Sequence, residues 1–457
     1  MPTVTKTKSY SAQFSQCLQA ETSIAPLVVF RIIFGLMMFA GTLRFWSKGW
    51  IDSLFIQPKN FFHYYGFEWV KPMGEFGIYA VFTFLLISSL FIALGFFYRW
   101  ASVIYFILFT YVELIDSTNY LNHYYFISLV AFLMCFLPAN RSFSIDVWRR
   151  PGIAVQKVPN WTIALIKFQL GLVYFFAGVA KLNSDWLFDA MPMSIWLQAK
   201  THWPLVGDLF SEKWVAYSFS WMGCIFDLTV AFFLLSKRFR PFAYLALVIF
   251  HVITGMMFPI GMFPWIMILA TLIFFSTDFH EKVIIFIRSK LNVKQRTSIG
   301  DNSLVLHGFK KKFLTAFLLT YVFFQMLFPF RYLFYPGDLF WTEQGYRFSW
   351  RVMLMEKAGT AFFYVTDPET GKRGEVDNCQ FLTATQEKMV ATQPDLILQY
   401  ANMIKQNVES RGLKDPIINA EVYVTLNGSR SKLFIDPEAN LTELEDNFKH
   451  KDWILDY

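Results

Sequence analysis

Charge is what this sequence has least of. Only 16% of its 457 residues are Asp, Glu, Lys or Arg, against roughly 25% in a soluble domain. That shortage argues against an ordinary water-facing globule. Cysteine is scarce as well: Cys17, Cys135, Cys224 and Cys379 form no C-x-x-C pair, and two of them lie in apolar runs. Neither a disulfide framework nor a zinc site is indicated. There is no G-x-x-x-x-G-K-[ST], no G-x-G-x-x-G after a strand and no H-E-x-x-H, so nucleotide, NAD and zinc chemistry lack support. No repeat of useful length is present, and the inverted halves of many transporters are not visible. The first 25 residues are polar and lack the basic start, apolar core and small-residue cleavage site of a signal peptide. The net charge of +7 raises nucleic acid as a partner. Its distribution argues otherwise, because the basic residues collect in loops between apolar runs.

What is present is apolar surface. Hydrophobic residues make up 55% and aromatics 20%, with 54 Phe, and the mean hydropathy is +0.37. A spanning helix needs about 20 mostly apolar residues. Nine segments qualify as candidates, near 26–45, 76–97, 100–115, 121–138, 161–182, 215–236, 241–258, 264–277 and 313–331. The third, fourth and eighth are short or polar. If successive loops alternate sides, one side collects Lys6, Lys8, Arg99, Arg141, Arg149, Arg150, Lys157, Lys237, Arg238 and Arg240. It also takes the 278–312 loop with Lys282, Arg288, Lys290, Lys294, Arg296 and Lys310 to Lys312. The other side holds only Lys48, Lys59, Lys71, Lys200 and Lys213. Positive residues stay cytoplasmic, which puts the N-terminal segment (1–25) in the cytoplasm. An odd span count then carries the C-terminus to the exoplasmic side.

Beyond the bundle (26–331), the composition becomes that of a soluble α+β region (332–457). "TAFFYVTDPETGKRGEV" (360–376) alternates, turns at Asp367-Pro368 and Gly371, and resumes as a hairpin. Residues 385–412 read as a helix with Pro394 inside it and Gly412 as its C-cap. "INAEVYVTLNGSRSKLFID" (418–436) reads as a second hairpin, turned by Asn427-Gly428. The expected fold is a polytopic α-helical membrane protein of about nine spans with a small α+β C-terminal domain on the exoplasmic side.

Polar residues then stand out at span ends. Lys181 closes the fifth span in "YFFAGVAKLNSDW" (174–186). Asp116, Asn119, Asn122 and His123 lie in "ELIDSTNYLNHYYF" (113–126). His251 falls inside the seventh span, and Glu113 and Asp227 are further ionisable groups in or near apolar runs. Such groups are costly in a bilayer and turn toward cavities or partners. Each also has a plainer role: a lysine that snorkels to the headgroups, an Asn-His pair that caps a helix, a histidine that bonds within the bundle. A buried lysine has a specific chemical use. Its ordinary pKa is about 10.4, and low dielectric disfavours the ammonium. The free amine can act as a general base toward a phenol or quinol, with Asn and His donors holding the oxyanion.

These residues carry a family resemblance. "VYFFAGVAKLNSDWL" (173–187) resembles the segment of the vitamin K-dependent gamma-glutamyl carboxylases that bears their catalytic lysine. "LIDSTNYLNHYY" (114–125) resembles their Asn-His segment, and "FHVITGMMFPIGMFPW" (250–265) their His and I-G-M-F segment. "PLVVFRIIFGLMMF" (26–39) and "GYRFSWRVMLMEK" (345–357) are similar to further blocks in the same order. The resemblance implies a membrane enzyme that oxidises reduced vitamin K with O2 to the epoxide. The strong base so produced removes a γ-proton from a protein glutamate, and CO2 adds. It implies Lys181 as the base, Asn122 and His123 as the oxyanion-positioning pair, and His251, Tyr120, Met262 and Phe263 at the quinol. No metal is implied. Reduced vitamin K or menaquinol would be the cofactor, and O2 and CO2 the co-substrates. The lipid bilayer and a protein or peptide glutamate would be the partners.

Departures from the family pattern are specific. The animal aromatic-Asn-Asn-His reads Tyr120-Leu121-Asn122-His123 here, and their lysine pair reads Ala180-Lys181. The chain is shorter after the membrane region than the animal enzymes, whose extra part binds the substrate propeptide. Quinol epoxidation without carboxylation therefore stands as one alternative. A non-catalytic transporter or lipid-binding protein keeping the fold is the other.

Overall fold

The structure is a computed structural model that describes residues 16–292, 303–304 and 308–457. Lys6, Lys8, Lys294 and Arg296 of the charge count lie outside the described residues. A short strand, β1 (Glu21–Ser23), leads into α1 (Ala25–Ser47). Pro26 in the first turn of α1 suits that start, because a proline ring presets helical φ and the missing N–H has no helical partner there. Then follow α2 (Glu75–Leu94), α3 (Tyr98–Ile115) and α4 (Asn122–Phe136). Strand β2 (Lys157–Pro159) returns antiparallel to β1. The bundle continues with α5 (Trp161–Ala180), α6 (Lys213–Leu235), α7 (Arg240–Met257), α8 (Phe263–Ala270), α9 (Thr277–Leu291) and α10 (Gly308–Leu327).

All nine expected apolar segments are helical, but they are not equivalent. Among the described residues seven helices are long and apolar enough to cross a bilayer. Helix α4 has 15 residues, about 22 Å at 1.5 Å per residue, which is short of a ~30 Å hydrocarbon core. The α8 segment, extended by a 3₁₀ turn to Phe274, meets α9 at 114°. The break follows from capping: the Ser276 hydroxyl accepts from Phe279 N at 3.3 Å and starts a new helix.

The helices alternate in direction. At one end Ile24 N donates to Gln156 O, Asp146 N to Gly95 O, and Ser23 Oγ to Glu281 on α9. This end therefore gathers the start of α1, the α2–α3 turn and the segment after α4. The opposite end carries the C-terminal region. That region contains β3 (Lys357–Thr366), β4 (Arg373–Glu375), α11 (Ala384–Val390), α12 (Pro394–Ser410), β5 (Ile417–Leu426) and β6 (Lys432–Leu433).

Both hairpins form, in a four-stranded antiparallel sheet of order β4-β3-β5-β6. Lys357 faces Leu426 and Thr366 faces Ile417 along the long pair. Alternate residues of β5, from Ile418 to Leu426, are buried against Leu396, Ile397, Tyr400 and Ile404 of α12. The single helix expected over 385–412 is instead two. Pro394 has no N–H to give and cannot continue a helix, so it opens α12 after a break. Gly412, at φ 99°, takes the left-handed cap that ends α12. Gln386 both caps α11 through Thr383 and donates to Asp116 Oδ2 at 3.0 Å, tying this region to the α3–α4 link. Asn427 donates to Asp185 at 2.7 Å, and His63 and Gln399 exchange two hydrogen bonds across the same junction.

Candidate functional site

Lys181 sits where α5 crosses α6. A Cβ built on Gly178 would lie 2.7 Å from Leu228 N, so the two backbones meet at a contact only glycine permits. One turn beyond that contact, Lys181 Nζ donates to Asp227 Oδ2 at 2.8 Å and to Ala177 O at 3.3 Å. Both residues are buried, at 6% and 4% exposure. Asn183 caps the next turn by accepting from Trp186 N. The Trp186 ring thereby returns to 5.3 Å from the ammonium and is pinned by donating to Ser220 O. Tyr174, two turns before Lys181 on the same helix face, shares a 2.7 Å hydrogen bond with His251 Nε2. His251 Nδ1 is buried without a partner among the described residues.

These groups line an apolar cavity of about 370 Å³, within the ~300–1,000 Å³ range of small-molecule sites. Within this apolar lining the Asp227 carboxylate stands directly against the Lys181 head group.

Asn122 and His123 line a different cavity, of about 540 Å³, together with Arg44, Glu113 and Asn119. Asn122 opens α4 and is fixed on both sides: it accepts from Tyr120 Oη at 3.1 Å and donates to Arg351 O at 3.0 Å. Glu113 accepts from Ser128 Oγ, while its Oε1 is buried and unpaired among the described residues. Ile260, Phe263, Val352 and Met353 line both cavities. Phe263 is the clearest partition, with the His123 ring 5.7 Å away and the His251 ring 5.8 Å away.

The sequence reading put Lys181, Asn122 and His123 around one opening; the structure divides them between two compartments that share a wall. His251 lines the Lys181 cavity, Met262 lines the Asn122 cavity and Phe263 lines both. Tyr120 is not a lining residue. It stands behind Asn122, accepting from Phe348 N at 2.8 Å, and acts as that residue's support.

Four residues take a part that the sequence does not show. Asp227 was noted as an ionisable group, but its pairing crosses 46 positions and two helices. Tyr174 had a usable signal in its seven-residue spacing from Lys181. Val352 and Met353 belong to a block recognised only as similar in sequence. That block is strapped between bundle and sheet. Arg331 donates to Ser349 Oγ at 2.7 Å and to Arg347 O, and Arg347 pairs with Asp395 at 2.5 Å. Positive φ at Phe348, Trp350 and Met353 marks a backbone held in costly conformations by these contacts. Among the described residues no group of three or more His, Cys, Asp or Glu is arranged to hold a metal ion.

Two family models match the chain. The HTTM domain covers residues 20–279, more than half of the sequence. The lumenal domain of vitamin K-dependent gamma-carboxylase covers residues 310–457. No solved structure matches the chain. The two matches run in order along the bundle and the sheet-containing region, so the chain belongs to the vitamin K-dependent gamma-glutamyl carboxylase family.

Proposed function

We propose that the chain is a membrane carboxylase-epoxidase that couples the oxidation of a reduced naphthoquinone by O2 to γ-proton removal from a glutamate side chain and addition of CO2. The observation that carries this reading is the buried Lys181–Asp227 pair facing an apolar cavity of about 370 Å³. The unpaired His251 Nδ1 and the Tyr174 hydroxyl beside it are polar contacts suited to a ring bearing two oxygens. A bound reduced naphthoquinone would supply all the electrons that reduce O2, ending as its epoxide, and the strong base that the glutamate step needs. Lys181 Nζ accepts the hydroxyl proton that starts the sequence. Asp227 holds the resulting ammonium as an ion pair, so the step does not end in an isolated buried cation. Trp186 and the surrounding phenylalanines keep water from the nitrogen.

The larger cavity supports the carboxylation half. Arg44 gives it a cation suited to a glutamate carboxylate, and Asn122 and His123 offer donors to developing negative charge. Tyr120 and Arg351 O fix the Asn122 amide, leaving one of its N–H groups free for that task. The alternation of helix ends supports nine passages, with α4 and α8 as short ones. On that reading the bundle is 26–331, the N-terminus is cytoplasmic, and both cavities and residues 332–457 are exoplasmic.

Incubating the purified protein in lipid nanodiscs with reduced vitamin K, O2, labelled bicarbonate and a glutamate-containing peptide tests the chemistry. Epoxide with fixed label supports the whole reading, epoxide without label restricts it to epoxidation, and neither product overturns it. For topology, single cysteines at Ser184 and Ser289 of a cysteine-free version should react with an impermeant reagent from opposite sides. Labelling of both from one side overturns the nine-passage arrangement.

A further inference from the structure

At the bundle end opposite Lys181, Arg99, Arg141, Arg149 and Arg150 line one pocket of about 270 Å³ with Asp146 and Trp100. Two segments bring them together: the first turn of α3, and "ANRSFSIDVWRR" (139–150) after α4. The second segment is pinned from inside. Arg31, at 1% exposure, donates to Ala139 O at 3.0 Å and Phe143 O at 2.6 Å. The pocket wall is thus held in place before any ligand arrives.

The carboxylate in the pocket is already engaged. Asp146 Oδ1 accepts from Phe97 N at 2.9 Å, and Oδ2 accepts from Tyr98 N at 3.1 Å and Asn140 Nδ2 at 2.8 Å. Arg149 approaches it at 3.8 Å while lying 4.0 Å over the Phe97 ring. The Arg99, Arg141 and Arg150 side chains make no hydrogen bond or ion pair among the described residues. Burial, and then the neighbouring Arg99, both act against the charge on Arg141. Four guanidinium groups therefore share one already occupied carboxylate, an arrangement short of an anion. Guanidinium binds phosphate oxygens in a bidentate fork. Trp100 and Trp148, 71% and 67% exposed, stand at this end, as aromatic residues do at a membrane–water interface.

We propose that this pocket binds a phosphate group, either the headgroup phosphate of an anionic phospholipid in the adjoining leaflet or a free phosphate. The test compares the parent protein with Arg99→Gln/Arg150→Gln, since both arginines are exposed and their removal leaves the packing intact. Lys237→Gln/Arg238→Gln removes two exposed charges at the α6–α7 turn, outside the pocket, as the control. Native mass spectrometry after reconstitution with phosphatidylcholine, with and without phosphatidylglycerol, reads the lipid retained. Thermal unfolding in detergent with added inorganic phosphate reads the free anion.

The lipid arm is expected to show preferential phosphatidylglycerol retention. The pocket variant should weaken it roughly tenfold or more for each guanidinium–phosphate hydrogen bond it removes, and the control should leave it unchanged. Saturable stabilisation by inorganic phosphate, abolished in the pocket variant and without preference for phosphatidylglycerol, assigns the pocket to a free phosphate. Equal weakening in control and pocket variants, or no response to either probe, overturns the proposal.

Discussion

Replacing Lys181 by Arg separates a lysine that holds the fold from one that moves a proton. The side chains of Lys181 and Asp227 are only 7% and 6% exposed, and they meet at 2.8 Å. Arginine keeps a permanent positive charge, so Asp227 retains its counter-ion. The larger head must still fit beside Trp186 and Ala177, which costs about 1–3 kcal/mol of overpacking. Lys181→Met is different, because it strands the carboxylate. Breaking a buried pair from one side costs about 3–5 kcal/mol, whereas removing both charges with well-packed apolar groups is often neutral or stabilising. Lys181→Met/Asp227→Leu should therefore be more stable than Lys181→Met alone.

Activity should follow another order. Neither Arg nor Met can take a proton at this position, so both should slow epoxide formation by the roughly 10²–10⁴-fold that a general base contributes. The paired assays are epoxide formed per minute in nanodiscs and denaturant unfolding of the same preparations. An arginine variant running at parental speed would refute Lys181 as the base. A Lys181→Met protein as stable as its parent would refute the structural weight given to the ion pair.

Other outcomes follow from the same geometry. His123→Ala should slow product formation about 10²–10³-fold, the usual penalty for removing one oxyanion donor, with unfolding unchanged; an unaltered rate removes His123 from the chemistry. Gly178→Val drives a side chain into Leu228 N, 2.7 Å from the Cβ position, and should lower stability and activity together by parting α5 from α6. A fall in activity alone would mean that the crossing does not set the Lys181–Asp227 distance. At the junction with the sheet region, burial first and Lys71 second hold His63 below the ordinary histidine pKa of 6.5. Between that lowered value and 6.5 the unfolded state binds more protons, so stability rises with pH and is lost as pH falls through this window. The protection of the His63 amide, which donates to Gln399 at 2.8 Å, should fall on acidification once the pH dependence of the intrinsic exchange rate is divided out. His63→Gln should remove that loss of protection, and an unchanged response would assign it elsewhere.

Much of the architecture was legible because it depends on local pattern. Apolar runs mark helices wherever nearly every residue must avoid water. Alternation with Asp367-Pro368 and Asn427-Gly428 marks the two hairpins, and Pro394 marks a break, although it was read as a tolerated interruption. Lys181, Asn122 and His123 stood out by their placement at span ends, and His251 by its place inside one; Met262 and Phe263 came from family resemblance alone. Tyr120 also came from that resemblance, but nothing in the sequence around it showed that its hydroxyl turns back to Asn122 and Phe348 N instead of into a cavity.

The sequence by itself determined where helices and strands form, how the charges divide between loops, and which polar groups must find a partner, since each depends on neighbours along the chain. Tertiary structure alone decided which partners they find. Lys181 meets Asp227 because two helices cross at Gly178. Phe263 divides the cavities because the α7–α8 turn tucks its ring between His123 and His251. Four arginines from two distant segments converge because Arg31 pins the loop that carries three of them. Such meetings depend on crossing points and packing, and no periodicity in a single stretch of sequence encodes them.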